Sequence, residues 1–127
     1  MKDDCLFCNI VNGKVPSKII YEDDLVMMVL DAYPNVSGHT LIIPKKHYTD
    51  YTEIPDDLLI HIHKLAKEYG PMLMNKMNTD CLSLCVNYGT SQVIKHYHFH
   101  ILPGFNSNKS QENILSRDEA YKIIMDK

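Results

Sequence analysis

Three histidines alternate with apolar residues in the segment His96-Tyr97-His98-Phe99-His100-Ile101-Leu102. Strict alternation with a period of two predicts a β-strand that carries its histidines on one face and its apolar residues on the other. Residues in a strand rise about 3.3 Å each, so neighbouring imidazoles would stand roughly 6.6 Å apart. Such a row indicates either a catalytic metal site or a metal-free site in which imidazole is the nucleophile and proton carrier.

Length and charge restrict the class of protein. A chain of 127 residues has the size of one domain with its own core. The net charge of −3 argues against a nucleic-acid-binding protein, which is usually basic. No apolar run approaches the roughly 20 residues that span a bilayer, so no membrane partner is expected. The acidic N-terminus lacks the apolar region of a signal peptide, which favours a cytoplasmic location.

The segment Cys5-Leu6-Phe7-Cys8 has the spacing of two thiolates on one tetrahedral metal ion. A second Cys-x-x-Cys pair does not follow, so two further ligands would have to come from elsewhere, and histidine is the natural candidate. A thioredoxin-like redox pair is the alternative, but such a pair normally follows a strand in a βαβ pattern. The motif alone does not decide between a metal site and no function.

The hydrophobic pattern predicts alternating strands and helices. Strands are expected at 19–22, 25–30, 39–44, 81–87 and 96–102. A short helix is expected over 6–11 and another over 117–124, and one long helix is expected to begin with Pro55 at its first position. Gly70-Pro71 predicts a kink or break in this long helix. His61 and His63 are interpreted as solvated, and Cys81 and Cys85 as small buried residues.

The histidine segment resembles the His-φ-His-φ-His-φ-φ signature of the histidine triad (HIT) nucleotide-binding hydrolases and transferases. The segments 5–10 and 38–47, together with Asp31, resemble further segments of that family in the same order. The resemblance covers roughly residues 5–103 of a single domain, 1–127, and the tail 104–127 adds nothing to it. Within that family, the chain resembles the small Hint-type branch, particularly its zinc-carrying microbial members.

The resemblance implies a fold and an assembly. The expected fold is α+β and HIT-like, with an antiparallel sheet of about five strands, one long helix and a short N-terminal helix. Family members pair this helix and an edge strand across a two-fold axis, which implies a homodimer.

The resemblance also implies catalytic residues. His98 matches the family nucleophile, which attacks the α-phosphorus of a purine nucleotide and forms a covalent nucleotidyl-histidine that water hydrolyses. A backbone carbonyl would hold its Nδ1–H and leave Nε2 for attack. His100 would touch the phosphate and assist the leaving group, and His39 would join the same proton-sharing group.

A structural zinc ion is implied as a cofactor. In zinc-carrying members the metal ligands match Cys5, Cys8, His47 and His96 of this chain. Four protein ligands leave no open position on a tetrahedral Zn²⁺, so this zinc would stabilise the fold and take no part in the chemistry.

The expected nucleotide-binding residues follow from the same resemblance. They are Phe7, Ile10, Val15, Leu30, Asp31, Asn87, Gln92, His98 and His100. The four apolar residues would surround the base and the carboxylate would bind the ribose hydroxyls. The two amides belong to the segment around the phosphate.

Several departures from the family pattern concern substrate preference. Val93 stands where many members place Ser or Thr, the loop 87–92 is shorter than is common, and Ala32 and Tyr33 are unusual. The first expectation is a phosphoramidase-like hydrolase of purine nucleoside phosphoramidates, and the alternative within the family is dinucleoside polyphosphate hydrolysis. Two further hypotheses are a metal-dependent hydrolase with a His₃ zinc site and a nucleotide-binding regulatory protein with little turnover.

Overall fold

A computed structural model describes residues 4–126. Its strands are β1 Ile19–Glu22, β2 Val26–Leu30, β3 Thr40–Pro44, β4 Leu82–Cys85 and β5 Phe99–Pro103. Its α-helices are α1 Leu6–Val11, α2 Asp56–Lys76 and α3 Arg117–Met125, and there are short 3₁₀ turns at Tyr51–Glu53 and Gly89–Ser91. This composition confirms the predicted α+β fold with five strands, one long helix and a short N-terminal helix.

The five strands form one antiparallel sheet in the order β1-β2-β3-β5-β4. The last strand in sequence is therefore inserted between β3 and β4. Every residue of β2 and β3 is buried. Both faces of the sheet are covered there, which explains why these two strands are near-continuous apolar runs.

Two hydrophobic clusters cover the two faces. The main core joins alternate residues of β2, including Val26 and Met28, to α2, α3 and β5. The second cluster joins the intervening residues Met27 and Val29 to α1, where Phe7 is buried. The short N-terminal helix is thus packed on the sheet face opposite the long helix.

Helix α2 corrects two predictions. Pro55 is the N-cap residue, with ψ 147°, and the helix begins at Asp56. The helix also continues unbroken through Pro71, so of the predicted kink or break the break is wrong. Pro71 is exposed. Gly70 is buried at a close approach to β4, where an added Cβ would lie 2.9 Å from Leu82 Cδ2.

The histidine segment is less regular than predicted. Strand β5 begins at Phe99, so His96 and His98 precede the strand instead of lying within it. The pairing between β3 and β5 ends at Ile42 opposite Phe99. Two residues further along β3 is Pro44, which has no N–H to donate to a ladder.

The predicted separation of histidines from apolar side chains nevertheless holds in this segment. Tyr97, Phe99 and Ile101 are buried in the main core. The Tyr97 N–H donates to the Tyr48 carbonyl at 2.7 Å and so leaves the sheet ladder.

Three side-chain interpretations need correction. Cys81 and Cys85 are half-buried and not buried. His61 Nε2 lies 2.7 Å from Asp23 Oδ2, so it ties α2 to the turn between β1 and β2. Burial alone would raise the pKa of Asp23, but hydrogen bonds from Tyr21, two backbone N–H groups and His61 lower it to about 2.

Helix α3 of the C-terminal tail packs in the main core. Ser116 caps α3 in a capping box with Glu119. Ala120 and Ile124 of α3 are buried in the main core, which confirms the predicted terminal helix and gives the tail a structural role. No helix within residues 4–126 has the length and apolar character to cross a bilayer.

Gly38 precedes β3 with a φ of +79° and is buried. A Cβ there would lie 2.7 Å from Met77 Cγ. Gly38→Ala therefore adds steric overlap to backbone strain, and we expect it to lower the unfolding free energy by about 2–4 kcal/mol in urea titrations. Gly13→Ala is the matched control, because Gly13 has a φ of +83° and nothing within 4 Å of an added Cβ. Equal losses in the two variants would contradict the proposed overlap.

Candidate active site and metal group

Four predicted ligands converge beside α1. Cys5 is the N-cap of α1 and Cys8 lies in its first turn, while His47 follows β3 and His96 precedes β5. Cys5 Sγ lies 3.3 Å from His96 Nδ1, and Cys8 Sγ lies 3.2 Å from His47 Nδ1. The two Nδ1 atoms are 3.1 Å apart. A tetrahedral zinc with bonds of about 2.3 and 2.0 Å has ligand–ligand edges of roughly 3.3–3.8 Å, so the cluster fits such an ion.

The tautomer of His96 suits metal binding. Its Nε2 lies 2.9 Å from the Pro44 carbonyl, which can only accept, so Nε2 carries the hydrogen and Nδ1 carries the lone pair. Burial lowers the pKa of His96 to about 4, which keeps the ring neutral. A second hydrogen bond that fixes the ring is typical of metal-binding histidines.

The His98 ring has the opposite arrangement. Its Nδ1 lies 2.9 Å from the His96 carbonyl oxygen, so Nδ1 carries the hydrogen and Nε2 carries the lone pair. This is the predicted tautomer. The ring is 9% exposed, and burial lowers its pKa. Phe7 contacts it edge-on at a centroid distance of 4.8 Å. The result is a neutral imidazole in the form that can act as a nucleophile.

A second pair of histidines lies next to His98. The rings of His98 and His100 are 4.8 Å apart between centroids, and His100 Nδ1 lies 2.8 Å from His39 Nε2. Asp31 Oδ2 lies 3.7 Å from the same His39 nitrogen. The Asn87 amide nitrogen lies 3.5 Å from His100 Nε2. Five of the residues singled out from the sequence therefore form one continuous group.

Burial shifts the pKa values of this pair downwards. Burial and the neighbouring His98 and His39 lower the pKa of His100 to about 4. The pKa of His39 is also lowered, chiefly by burial, although the Asp31 carboxylate opposes the shift. Both rings are therefore neutral in the folded protein at pH 7.

The remaining residues that are expected to bind the nucleotide lie in different environments. Ile10 packs beside Phe7 in the second cluster, and Val15 is half-buried just beyond α1. Leu30 lies in the main core, on the other face of the sheet from Phe7. Gln92 is buried, and its Nε2 donates to two backbone carbonyls, those of Thr49 at 2.7 Å and Ile94 at 3.0 Å. Leu30 is thus packed in the main core, and the amide nitrogen of Gln92 is hydrogen-bonded to the backbone.

The three histidines of the motif do not converge on one metal position. His96 faces the cysteines, whereas His98 is tied to a backbone carbonyl. Within residues 4–126, the potential metal-binding groups are the four residues beside α1 and the trio Asp31, His39 and His100. The hypothesis of a His₃ metal site is therefore not supported by the geometry.

One contact at the site could not be found from the sequence. The backbone N–H of Asn35 donates to His39 Nδ1 at 3.2 Å. The loop that carries it is bound to the tail, since the Leu115 N–H donates to Ser37 Oγ at 2.8 Å. A backbone donor leaves no signal in the choice of residue, because every residue except proline has one.

Residues 12–107 match the HIT domain family. The chain belongs to the HIT family. An uncharacterized HIT-like protein of Methanocaldococcus jannaschii is 41% identical over 106 residues, which cover 82% of this HIT protein and 81% of the relative. The adenylylsulfatase HINT3 of Arabidopsis thaliana is 36% identical over 105 residues, or 81% of this chain and 53% of the relative. This HIT protein therefore spans about half of that enzyme.

Solved structures of histidine triad proteins are similar to this chain in fold. A zinc-bound histidine triad family protein from Mycobacterium smegmatis is similar with a TM-score of 0.79 and 29% identity, over 95% of this chain and 90% of that one. A hypothetical histidine triad nucleotide-binding protein from Sulfolobus tokodaii has a TM-score of 0.75 and 32% identity, over 94% and 89%.

The low pKa of His100 predicts a pH-dependent stability. The folded value is about 4 and the usual value is 6.5, so the unfolded chain binds more protons between these pH values. The unfolding free energy therefore falls as the pH is lowered through this window. His100→Gln removes the contribution of His100, so its unfolding free energy should fall less steeply in urea titrations across the window. Identical slopes in variant and wild type would contradict the assignment.

Proposed function

We propose that this HIT protein is a nucleotide hydrolase that acts at the α-phosphorus through a covalent nucleotidyl-His98 intermediate. The observation that carries the proposal is the 2.9 Å contact between His98 Nδ1 and the His96 carbonyl. It places the lone pair of a neutral imidazole on Nε2, where it can attack phosphorus without a separate base. As His98 Nε2 bonds to the α-phosphorus, the bond from phosphorus to the leaving group breaks and the leaving group takes its electron pair. Water then hydrolyses the P–N bond, which releases the nucleoside monophosphate and regenerates the imidazole.

The neighbouring groups suit the other steps of this reaction. His100 lies next to His98 and would contact a phosphate oxygen and the leaving group. His39 supports His100 through their 2.8 Å hydrogen bond. Asp31 is half-buried at the edge of this group and would accept hydrogen bonds from the ribose hydroxyls. Phe7, beside His98, would pack near the base.

Purine nucleoside phosphoramidates are the first proposed substrates. The similarity to an adenylylsulfatase adds adenylyl sulfate, another nucleotide with a good leaving group on the α-phosphate. Dinucleoside polyphosphate hydrolysis and a regulatory nucleotide-binding role with little turnover are the alternatives. A purine nucleotide is thus the proposed ligand in each case, and turnover separates the hydrolases from the regulatory protein.

Zinc is the proposed occupant of the Cys₂His₂ group, and its role is structural. Two thiolates and two neutral imidazoles are a donor set that zinc prefers, and four protein ligands close its coordination shell. The ion would bind the N-terminal helix to the segment before β5. Reduced thiolate ligands suit a cytoplasmic location, which we also propose.

We also propose a homodimer, and the uncovered edge of the sheet supports it. Strand β4 is the last strand in the sheet order, so one edge of its backbone is not covered by another strand of the described chain. Leu84 on this strand is 48% exposed and Val86 just beyond it is 37% exposed. An apolar strand edge favours pairing with a second copy.

His98→Ala tests the nucleophile. The purified variant should release AMP from adenosine 5′-phosphoramidate at least about a thousand-fold more slowly than wild type, since the group that bonds to phosphorus is lost. His63→Ala is the matched control, because His63 is an exposed histidine of α2 whose ring contacts Phe99 of the main core and none of the catalytic histidines. Quenching wild-type turnover in alkaline denaturant should trap a nucleotidyl-protein, because the P–N bond of a nucleotidyl-histidine is labile in acid, and the His98 variant should not form it.

The outcomes separate the proposed functions. Equal turnover by wild type and His98→Ala would exclude the His98 mechanism. If the wild type binds AMP but turns over neither the phosphoramidate, adenylyl sulfate nor a dinucleoside polyphosphate, the regulatory role replaces the hydrolase.

Removal of the metal tests the role of zinc. We expect one zinc ion per chain by elemental analysis, and Cys8→Ser should lose it together with several kcal/mol of unfolding free energy. Cys81→Ser is the control, because Cys81 lies outside the metal group. A chelator should lower the melting temperature and reduce turnover only as the fold is lost. Immediate loss of turnover with an unchanged melting temperature would contradict the structural role.

A further inference from the structure

The hydrogen bond between His39 and His100 has a direction that a neighbouring backbone group determines. His39 Nε2 and His100 Nδ1 are 2.8 Å apart, and either atom could carry the hydrogen. The Asn35 N–H can only donate, and it lies 3.2 Å from His39 Nδ1. His39 Nδ1 is therefore the acceptor and Nε2 carries the hydrogen of the neutral ring. His39 then donates to His100 Nδ1, and His100 carries its own hydrogen on Nε2.

The opposite direction would bring two hydrogens face to face. If His100 carried its hydrogen on Nδ1, His39 would carry its hydrogen on Nδ1 as well, directly opposite the Asn35 N–H. The Asn87 amide nitrogen, 3.5 Å from His100 Nε2, would favour that arrangement. However, a side-chain amide can rotate by 180° and present its oxygen, whereas a backbone N–H in a fixed loop cannot turn away. The backbone donor therefore decides the tautomers.

The charge of Asp31 and the burial of His39 favour the same tautomer of His39. Asp31 Oδ2 lies 3.7 Å from His39 Nε2, so its negative charge favours a hydrogen on that nitrogen. His39 is 2% exposed, which limits the access of water as a substitute donor for Nδ1. The Asp31 charge and the burial of His39 thus favour the same tautomer as the Asn35 N–H.

The loop that presents the Asn35 N–H is held by the C-terminal tail. The Ser37 N–H donates to Gln111 Oε1, and the Leu115 N–H donates to Ser37 Oγ. Both tail residues lie beyond the segment that matches the HIT family, residues 12–107. The tail therefore fixes the position of the loop opposite His39.

We propose that the Asn35 backbone amide is a positioning group that sets the tautomers of His39 and His100. His100 thereby presents an Nε2–H donor to the reacting phosphate beside the lone pair of His98, and the tail residue Gln111 keeps the amide in place. The use of this donor rests on the proposed hydrolase function. The assignment of the tautomers rests only on the hydrogen-bond geometry.

Nitrogen-15 NMR of the zinc-loaded wild type tests the tautomers directly. Ring nitrogens with and without hydrogen have well-separated shifts, and His39→Gln and His100→Gln identify the two rings in the spectrum. At neutral pH both rings should carry their hydrogen on Nε2. A hydrogen on Nδ1 of either ring would overturn the proposal.

A proline substitution tests the backbone donor. Asn35→Pro removes the N–H, and Asn35→Ala is the matched control that keeps it. In the proline variant, His39 and His100 should show mixed tautomers. Its turnover of adenosine 5′-phosphoramidate should fall at least about ten-fold, towards the 10²–10³-fold effect of losing one transition-state donor. The alanine variant should match wild type in both measurements. Wild-type tautomers in a folded proline variant would refute the role of the amide.

Gln111 provides a second test if the proline variant does not fold. Gln111→Ala removes the acceptor for the Ser37 N–H and should shift the two tautomers in the same direction, with a smaller fall in turnover. Gln111→Glu keeps an acceptor oxygen and should restore the wild-type tautomers and the wild-type turnover. An unchanged NMR pattern in Gln111→Ala would remove the tail from the proposal.

The two proposals fail separately. The expected tautomers without turnover of any nucleotide would leave the positioning role intact and refute the hydrolase function. Turnover that depends on His98, with His39 protonated on Nδ1, would do the reverse.

Discussion

A single residue, His96, connects the metal-binding group to the proposed nucleophile. Its Nδ1 faces Cys5 Sγ, its Nε2 donates to the Pro44 carbonyl, and its own carbonyl accepts from His98 Nδ1. A ring held at both nitrogens cannot rotate, so its backbone carbonyl stays where the His98 ring needs an acceptor. The orientation of His98 therefore depends on a residue whose side chain serves the metal group. The contact links the orientation of the proposed nucleophile to the four residues that could hold a metal ion.

The end of β3 makes this arrangement possible. Because Pro44 has no N–H, the ladder to β5 stops at Phe99 and the preceding residues leave the sheet. The Pro44 carbonyl is then available to the His96 ring instead of to a neighbouring strand. Tyr97 is still buried in the main core and anchors the segment between the two histidines. The irregular path thus places His96 towards the metal group and His98 towards Phe7 and His100.

The sequence predicts those parts of the molecule in which burial leaves a continuous or regularly repeating apolar pattern. Strands β2 and β3 are buried along their whole length, so their apolar runs are direct signals. The metal group was predictable because the Cys5–Cys8 spacing and the family resemblance supplied all four ligands. The direction in which Leu30 and Gln92 face was not predictable, since it depends on packing between distant segments. Nor was the donor at Asn35, because the contact is made by its backbone N–H and the residue type leaves no trace of it.

Two neutral imidazoles can do different chemistry only if their hydrogens occupy different nitrogens. Burial lowers the pKa values of both His98 and His100, so at pH 7 charge does not distinguish them. The difference comes from backbone groups: a carbonyl places the hydrogen of His98 on Nδ1, and an amide acting through His39 places that of His100 on Nε2. Backbone groups neither titrate in this range nor rotate with a side chain. While both rings are neutral, the lone pair of His98 Nε2 and the Nε2–H of His100 are thus kept side by side. Attack on an anionic phosphate requires this pair of groups.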